Sequence, residues 1–98
     1  MDTAPRHAAI LFADVAGSTR LYETAGDAVA LTLIGRCIDV MKAVCEERDG
    51  RVVKTIGDEV MAVFPSAGNA GYASIDMHGR ISRLAEEGGV RLAIHAGF

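Results

Sequence analysis

The stretch ILFADVAGSTR, Ile10 to Arg20, decides how this chain folds. Extended back to Ala8, it is apolar almost without interruption up to Val15. Such a run predicts a strand buried on both faces. Asp14 stands at its end, and Gly17-Ser18-Thr19 follows as a turn. A carboxylate there is costly unless it is paired, hydrogen-bonded or bound to a cation. On this stretch alone the simpler explanation is that Asp14 caps the turn behind it, because Asp, Gly and Ser are ordinary turn residues.

Working outward, Ser18 is expected to cap a short helix to about Ala25, with Gly26 ending it. Asp27 is expected to cap the next. There Ala30, Leu33, Ile34, Cys37, Ile38, Met41, Val44 and Cys45 recur at three- and four-residue spacing, leaving Arg36, Asp39, Lys42, Glu46 and Glu47 mostly off the stripe. Gly50 is expected to close that helix. Arg51–Ile56 and Glu59–Phe64 read as strands around Gly57-Asp58, a two-residue loop with Gly first that suits a tight hairpin. Pro65 stops the second strand, and Ser66 is expected to cap a helix to about Glu87. Gly68, Gly71 and Gly79 weaken that helix, so it must lean on packing or on close approach to the sheet. Gly88-Gly89 end it, and Val90–Ala96 alternates as a final strand.

The order is strand, helices, strand, strand, helix, strand. It predicts an α+β domain with a ferredoxin-like βαββαβ core, a four-stranded antiparallel sheet with helices on one face. In that topology the first and third strands are central, antiparallel neighbours. Asp14 ends the first and Asp58 begins the third, so carboxylates 44 positions apart arrive at one mouth of the sheet. Two such groups repel unless a proton or a cation lies between them. Mg²⁺ takes one or two carboxylates and fills its shell with water and substrate phosphates. Gly17, Ser18 and Thr19 open a helix whose N–H groups point where a phosphate could sit. The topology therefore moves the balance from a capping Asp14 to a metal site.

Composition narrows the classes. The length of ninety-eight residues suggests no more than one domain, and with half of them hydrophobic and 23% charged a packed core is expected rather than disorder. The net charge of −3 and the lack of a basic stripe argue against a nucleic-acid partner. The apolar runs are far too short to span a membrane, and no export signal is visible. Cys37 and Cys45, the two cysteines, would lie about 12 Å apart along one helix, too far for a bridge. Free thiols without an export signal predict the cytoplasm.

Taken together, FADVAGSTRLYETAGD, GRVVKTIGDEVMAVF and VRLAIHAG resemble, in order and spacing, the catalytic domain of class III adenylate/guanylate cyclases. The bacterial, soluble branch is the nearest, since Gly-Ser-Thr stands at 17 to 19 where many animal members have Gly-Phe-Thr. The resemblance implies that Asp14 and Asp58, helped by the backbone carbonyl of Val15, bind two Mg²⁺ or Mn²⁺ ions. It implies that Gly17, Ser18 and Thr19 cradle phosphate oxygens, and that Lys54 reads the purine. A lysine only donates hydrogen bonds, which suits the N1 acceptor of adenine and favours ATP over GTP. The implied reaction makes 3′,5′-cyclic AMP and pyrophosphate at a dimer interface.

In the family a second base-reading residue and a transition-state asparagine and arginine follow later in the domain than position 98. The expectation is therefore that residues 1–98 are the N-terminal portion of such a domain and, alone, an inactive self-associating fragment. Two other readings compete. Diguanylate cyclases would normally show a second Gly before Gly57 and an aromatic after Glu59, where Ile56 and Val60 stand. A non-catalytic nucleotide-binding or dimerisation module would keep the fold without turnover. His7, His78 and His95 have no metal-cluster spacing, and His95 reads as structural. Glu59, beside Asp58, could support the site but reads more simply as an exposed hairpin residue, and Arg20 and Arg91 read as surface or sheet-edge cations. Ser18 has no His partner for nucleophilic chemistry.

Overall fold

The computed structural model describes residues 8–88 and 93–97. The elements are β1 (Ala9–Ala16), α1 (Ser18–Ala25), α2 (Asp27–Glu47), β2 (Arg51–Ile56), β3 (Glu59–Phe64), α3 (Ala67–Gly88) and β4 (Ala93–Gly97). The strands lie in the order β2-β3-β1-β4, each pair antiparallel. This is an α+β architecture in which α2 and α3 pack on each other and on the sheet. Residues 89–92 of the expected last strand and of the double-glycine stop lie outside the described residues.

The apolar stripe on α2 does what its spacing predicts. Ala30, Leu33, Ile34, Cys37, Met41, Val44 and Cys45 are buried, and Ile38 packs partly buried against them. Across from them Leu11, Ala13 and Val15 of β1 and Val60, Ala62 and Phe64 of β3 complete the core, with Ala70, Ala73, Met77, Ile81 and Leu84 of α3. Full burial of a side chain such as Met41 or Ile81 stabilises the fold by ~1.5–3 kcal/mol. Burial pushes the Cys45 thiol up to about 11, with Glu46 adding to the shift. Both cysteines are free and buried, so neither is a thiolate at neutral pH.

The expectation that β1 is buried on both faces is wrong. Leu11, Ala13 and Val15 face the helices, whereas Ile10 and Phe12 on the opposite face are 43% and 46% exposed. An apolar run hides its period of two when both faces are apolar. Here the helices cover only one.

Two helix starts also differ from expectation. Gly17 (φ 79°) and Gly26 (φ 88°), not Ser18 and Asp27, occupy the N-cap positions, and neither helix has a side-chain cap. The chain must reverse at both points through positive φ, which glycine adopts without a Cβ clash. Ser66 does cap α3: its Oγ accepts from the Asn69 N–H at 3.1 Å, and its hydroxyl donates to Asn69 Oδ1 at 2.8 Å. The Asn69 amide nitrogen donates in turn to the Arg48 carbonyl at 3.0 Å, tying the start of α3 to the end of α2. Arg48 pairs with Asp76 at 2.8 Å and lies over the Tyr72 ring, and Arg80 grips Glu47. The Arg80 hydrogen bond holds the Glu47 carboxyl below its ordinary range. Such surface pairs each add only ~0–1 kcal/mol.

Gly50 does not close α2 through its own backbone angle. The left-handed residue there is Asp49, at φ 62°, and the Gly50 N–H donates to the Cys45 carbonyl at 2.7 Å. What demands glycine at 50 is the Phe64 ring, which a Cβ would meet at 2.4 Å. The α3 glycines likewise do not mark a close approach where described: nothing lies within 4 Å of a Cβ at Gly79, and only Ser66 Oγ, at 3.6 Å, near Gly68. Buried packing carries that helix. Gly35 in α2 also has open space where a Cβ would stand. Gly50→Ala should therefore destabilise by about 1–3 kcal/mol through overpacking against Phe64, whereas Gly35→Ala should stabilise by up to about 1 kcal/mol. Urea unfolding of both variants checks the opposite signs.

Candidate functional site

The register of the central strands builds the site. Asp14 lies opposite Glu59 in the β1–β3 ladder, and Asp58 immediately precedes Glu59 in the hairpin loop. Residues directly opposite in an antiparallel pair point to the same face, and adjacent strands are ~4.8 Å apart. Asp14 thus sits on the open face, in phase with Ile10 and Phe12, at the mouth where Asp58 turns the chain. Both carboxylates are half-buried. In the hairpin the positive φ falls on the first loop residue, Gly57, at 58°.

Two residues beyond Asp14, Gly17 turns the chain into α1. The Leu21 N–H donates to the Gly17 carbonyl at 2.9 Å as the first bond of that helix. No side chain caps α1, so the N–H groups of Ser18 and Thr19 keep their hydrogen-bonding capacity. Val15 sends its side chain into the core, at 4% exposure, leaving only its backbone for a ligand.

Lys54 is exposed on β2. It pairs with Met61, which pairs with Phe12, so all three share the open face. Asp14, Glu59 and Ile56 form the next row toward the hairpin. Two strand spacings and one row separate Lys54 from Asp14, on the order of 12 Å between backbones. The structure therefore brings Asp14, Asp58 and the α1 start together and leaves Lys54 apart from them.

His78 is exposed on α3, on the covered side of the sheet. His95 is the backbone partner of Asp14 in β4. His7 and Arg91 lie outside the described residues. Among the described residues no group of three or more His, Cys, Asp or Glu side chains is arranged around a metal position. The candidate donors Asp14, Asp58 and the Val15 carbonyl all offer oxygen, which suits a hard divalent cation completed by water and phosphate.

Sequence reasoning missed the apolar side chains around these groups, the exposed Ile10 and Phe12 and the half-buried Met61, because it read β1 as two-sided. The signal was present: Ile10 and Phe12 alternate in phase with Asp14. It also missed a β-bulge between Val52 and Lys54, for which the sequence carries no marker beyond two adjacent valines.

A family model for the adenylate and guanylate cyclase catalytic domain matches residues 3–92. Among solved structures, the adenylyl cyclase CyaB from P. aeruginosa aligns with a TM-score of 0.81 at 24% identity, over 92% of this chain and 53% of that one. A bacterial light-regulated adenylyl cyclase aligns at 0.80 and 24% identity, over 92% of this chain and 29% of that one. The guanylyl cyclase Cya2 aligns at 0.70 and 19% identity, over 99% and 57%. At these identities the likeness is one of fold, and this chain spans between 29% and 57% of each neighbour's length. No curated protein matches significantly.

The hairpin that carries Asp58 depends on Gly57, where a Cβ would meet nothing within 4 Å. Any cost of substitution there is conformational alone. Gly57→Val should lower stability by about 1–2 kcal/mol, and Gly57→Asn by less, because Asn tolerates the left-handed region. Urea midpoints of the two variants check the ranking.

Proposed function

The chain belongs to the adenylate and guanylate cyclase catalytic domain family, and from that premise we propose that the whole protein, of which residues 1–98 supply the metal carboxylates and Lys54, converts ATP to 3′,5′-cyclic AMP and pyrophosphate. The proposed core is ferredoxin-like, with β4 as its fourth strand. The observation that carries this reading is the pairing of Asp14 with Glu59, which sets Asp14 and Asp58 at one mouth beside the uncapped start of α1. Asp14 and Asp58, with the Val15 carbonyl, would hold two Mg²⁺ or Mn²⁺ ions. When bound, such ions supply activation of the ribose 3′-hydroxyl and neutralisation of charge on the triphosphate. The Gly17-Ser18-Thr19 turn receives phosphate oxygens on its backbone N–H groups. In the reaction the 3′-oxygen forms a bond to the α-phosphorus, the bond from that phosphorus to the bridging oxygen breaks, and pyrophosphate leaves. The hydroxyl proton passes to solvent.

Lys54 donates a hydrogen bond to adenine N1, and GTP is the poorer fit because its N1 is a donor. Its separation from the carboxylates supports a composite site, in which one copy supplies Asp14 and Asp58 and the other supplies Lys54. The open sheet face supports the same arrangement, with Ile10, Phe12 and Ile56 all more than two-fifths exposed. A second copy seated there would remove that apolar surface from water. No helix among the described residues is long and apolar enough to cross a membrane. The buried free thiols of Cys37 and Cys45 fit a cytoplasmic setting.

Asp14→Asn and Asp58→Asn keep the side-chain shape and remove the charge. Each should weaken Mn²⁺ binding, read by calorimetry, and lower cyclic AMP formation, read by mass, by about 10²-fold or more. Unchanged binding and turnover in both would remove the metal site. Bound Mn²⁺ and ATP without product would point to a binding module of the same fold. Lys54→Glu should lower ATP turnover more than GTP turnover, and an unchanged ratio would show that Lys54 does not read the base.

A further inference from the structure

The β2–β3 ladder carries one residue too many. Val52 pairs with Ala62 and Lys54 with Met61, so β2 advances two residues while β3 advances one. Val53 is the surplus residue, and it stands 47% exposed. Deleting it would leave every observed pair intact: Arg51 with Val63, Val52 with Ala62, Lys54 with Met61, Thr55 with Val60 and Ile56 with Glu59. The ladder gains nothing from Val53. The core gains nothing either, since Val52, not Val53, is the residue packed against it.

A bulge bends its strand and raises the local twist, and so re-aims the side chain beside it. The side chain beside this one is Lys54, between the bulge and the hairpin that bears Asp58. The competing role is protection of an edge strand, for β2 is the outer strand of the sheet. That edge already carries Arg51 and Lys54, two exposed cations of the kind that discourage edge pairing. We propose that Val53 is a positioning residue, whose bulge aims Lys54 at the purine base and so sets discrimination between ATP and GTP. The inference rests on the reading of Lys54 as the base-reading residue.

The experiment compares the full-length protein with three variants, deletion of Val53, Val53→Ala and Lys54→Ala. It measures kcat and KM with Mn²⁺-ATP and Mn²⁺-GTP, the urea midpoint, and sedimentation. Deletion should leave a folded protein whose ATP-to-GTP ratio of kcat/KM falls about three- to tenfold, the scale of one weakened hydrogen bond, chiefly through a higher KM for ATP. Val53→Ala keeps the surplus backbone residue and should keep the ratio, while Lys54→Ala should lower it at least as far as the deletion. If Lys54→Ala lowers the ratio and the deletion does not, base reading stands and the positioning role is wrong. Deletion that causes self-association with an unchanged ratio would assign the bulge to edge protection. A deletion variant that does not fold would show that the ladder needs Val53, and a ratio shifted in Val53→Ala would put the effect in the side chain; either overturns the proposal. A ratio unmoved by Lys54→Ala overturns the base reading and the positioning role together.

Discussion

The antiparallel pairing of β1 with β3 is the interaction on which the rest of the molecule depends. It aligns Leu11 with Ala62 and Ala13 with Val60 beneath the helices, and by the same register aligns Asp14 with Glu59 on the other face. The core and the mouth are two readings of one ladder. Slipping it by one residue would turn Leu11, Ala13 and Val15 outward and bury Asp14. The cost of that exchange is what fixes the carboxylates in place, so the apolar residues of β1 position the site without taking part in it.

One-sided cover is the second constraint. With α2 and α3 on the same side, the opposite face of the sheet stays open although Ile10, Phe12 and Ile56 on it are apolar. An exposed apolar face rimmed by charged groups is a poor end state in water and a good surface for association. If Lys54 reads the base as proposed, its distance from the carboxylates calls for the same association. Both observations are accounted for if the working unit is a pair of chains closing over this face.

The ends of α2 and α3 show how local chemistry and packing share the work. Ser66 and Asn69 cap α3, and the Asn69 amide reaches back to the Arg48 carbonyl. Asp49 makes the left-handed turn, and Gly50 yields its side chain to the Phe64 ring. The glycine is there for a residue fourteen positions later, on a strand that packs across it. A reading of residues 45 to 51 alone assigns it to the helix end.

The sequence by itself determined the element order, the core stripe of α2 and the hairpin at Gly57-Asp58. Each rests on interactions between residues a few positions apart, where spacing is enough. It also pointed to the candidate residues, Asp14 and Asp58 through the expected strand order and Lys54 through the family resemblance. Only the tertiary structure decided that β1 is covered on one side, that Gly50 answers to Phe64, that glycines rather than Ser18 and Asp27 occupy the N-cap positions of α1 and α2, and that Val53 is surplus to its ladder. Those outcomes depend on which surface a distant element occupies and on how the chain turns to reach it. Hydrophobic burial is not directional, so a run such as Ala8–Val15 reads the same whether one face or both are covered, and only the placement of α2 and α3 tells them apart.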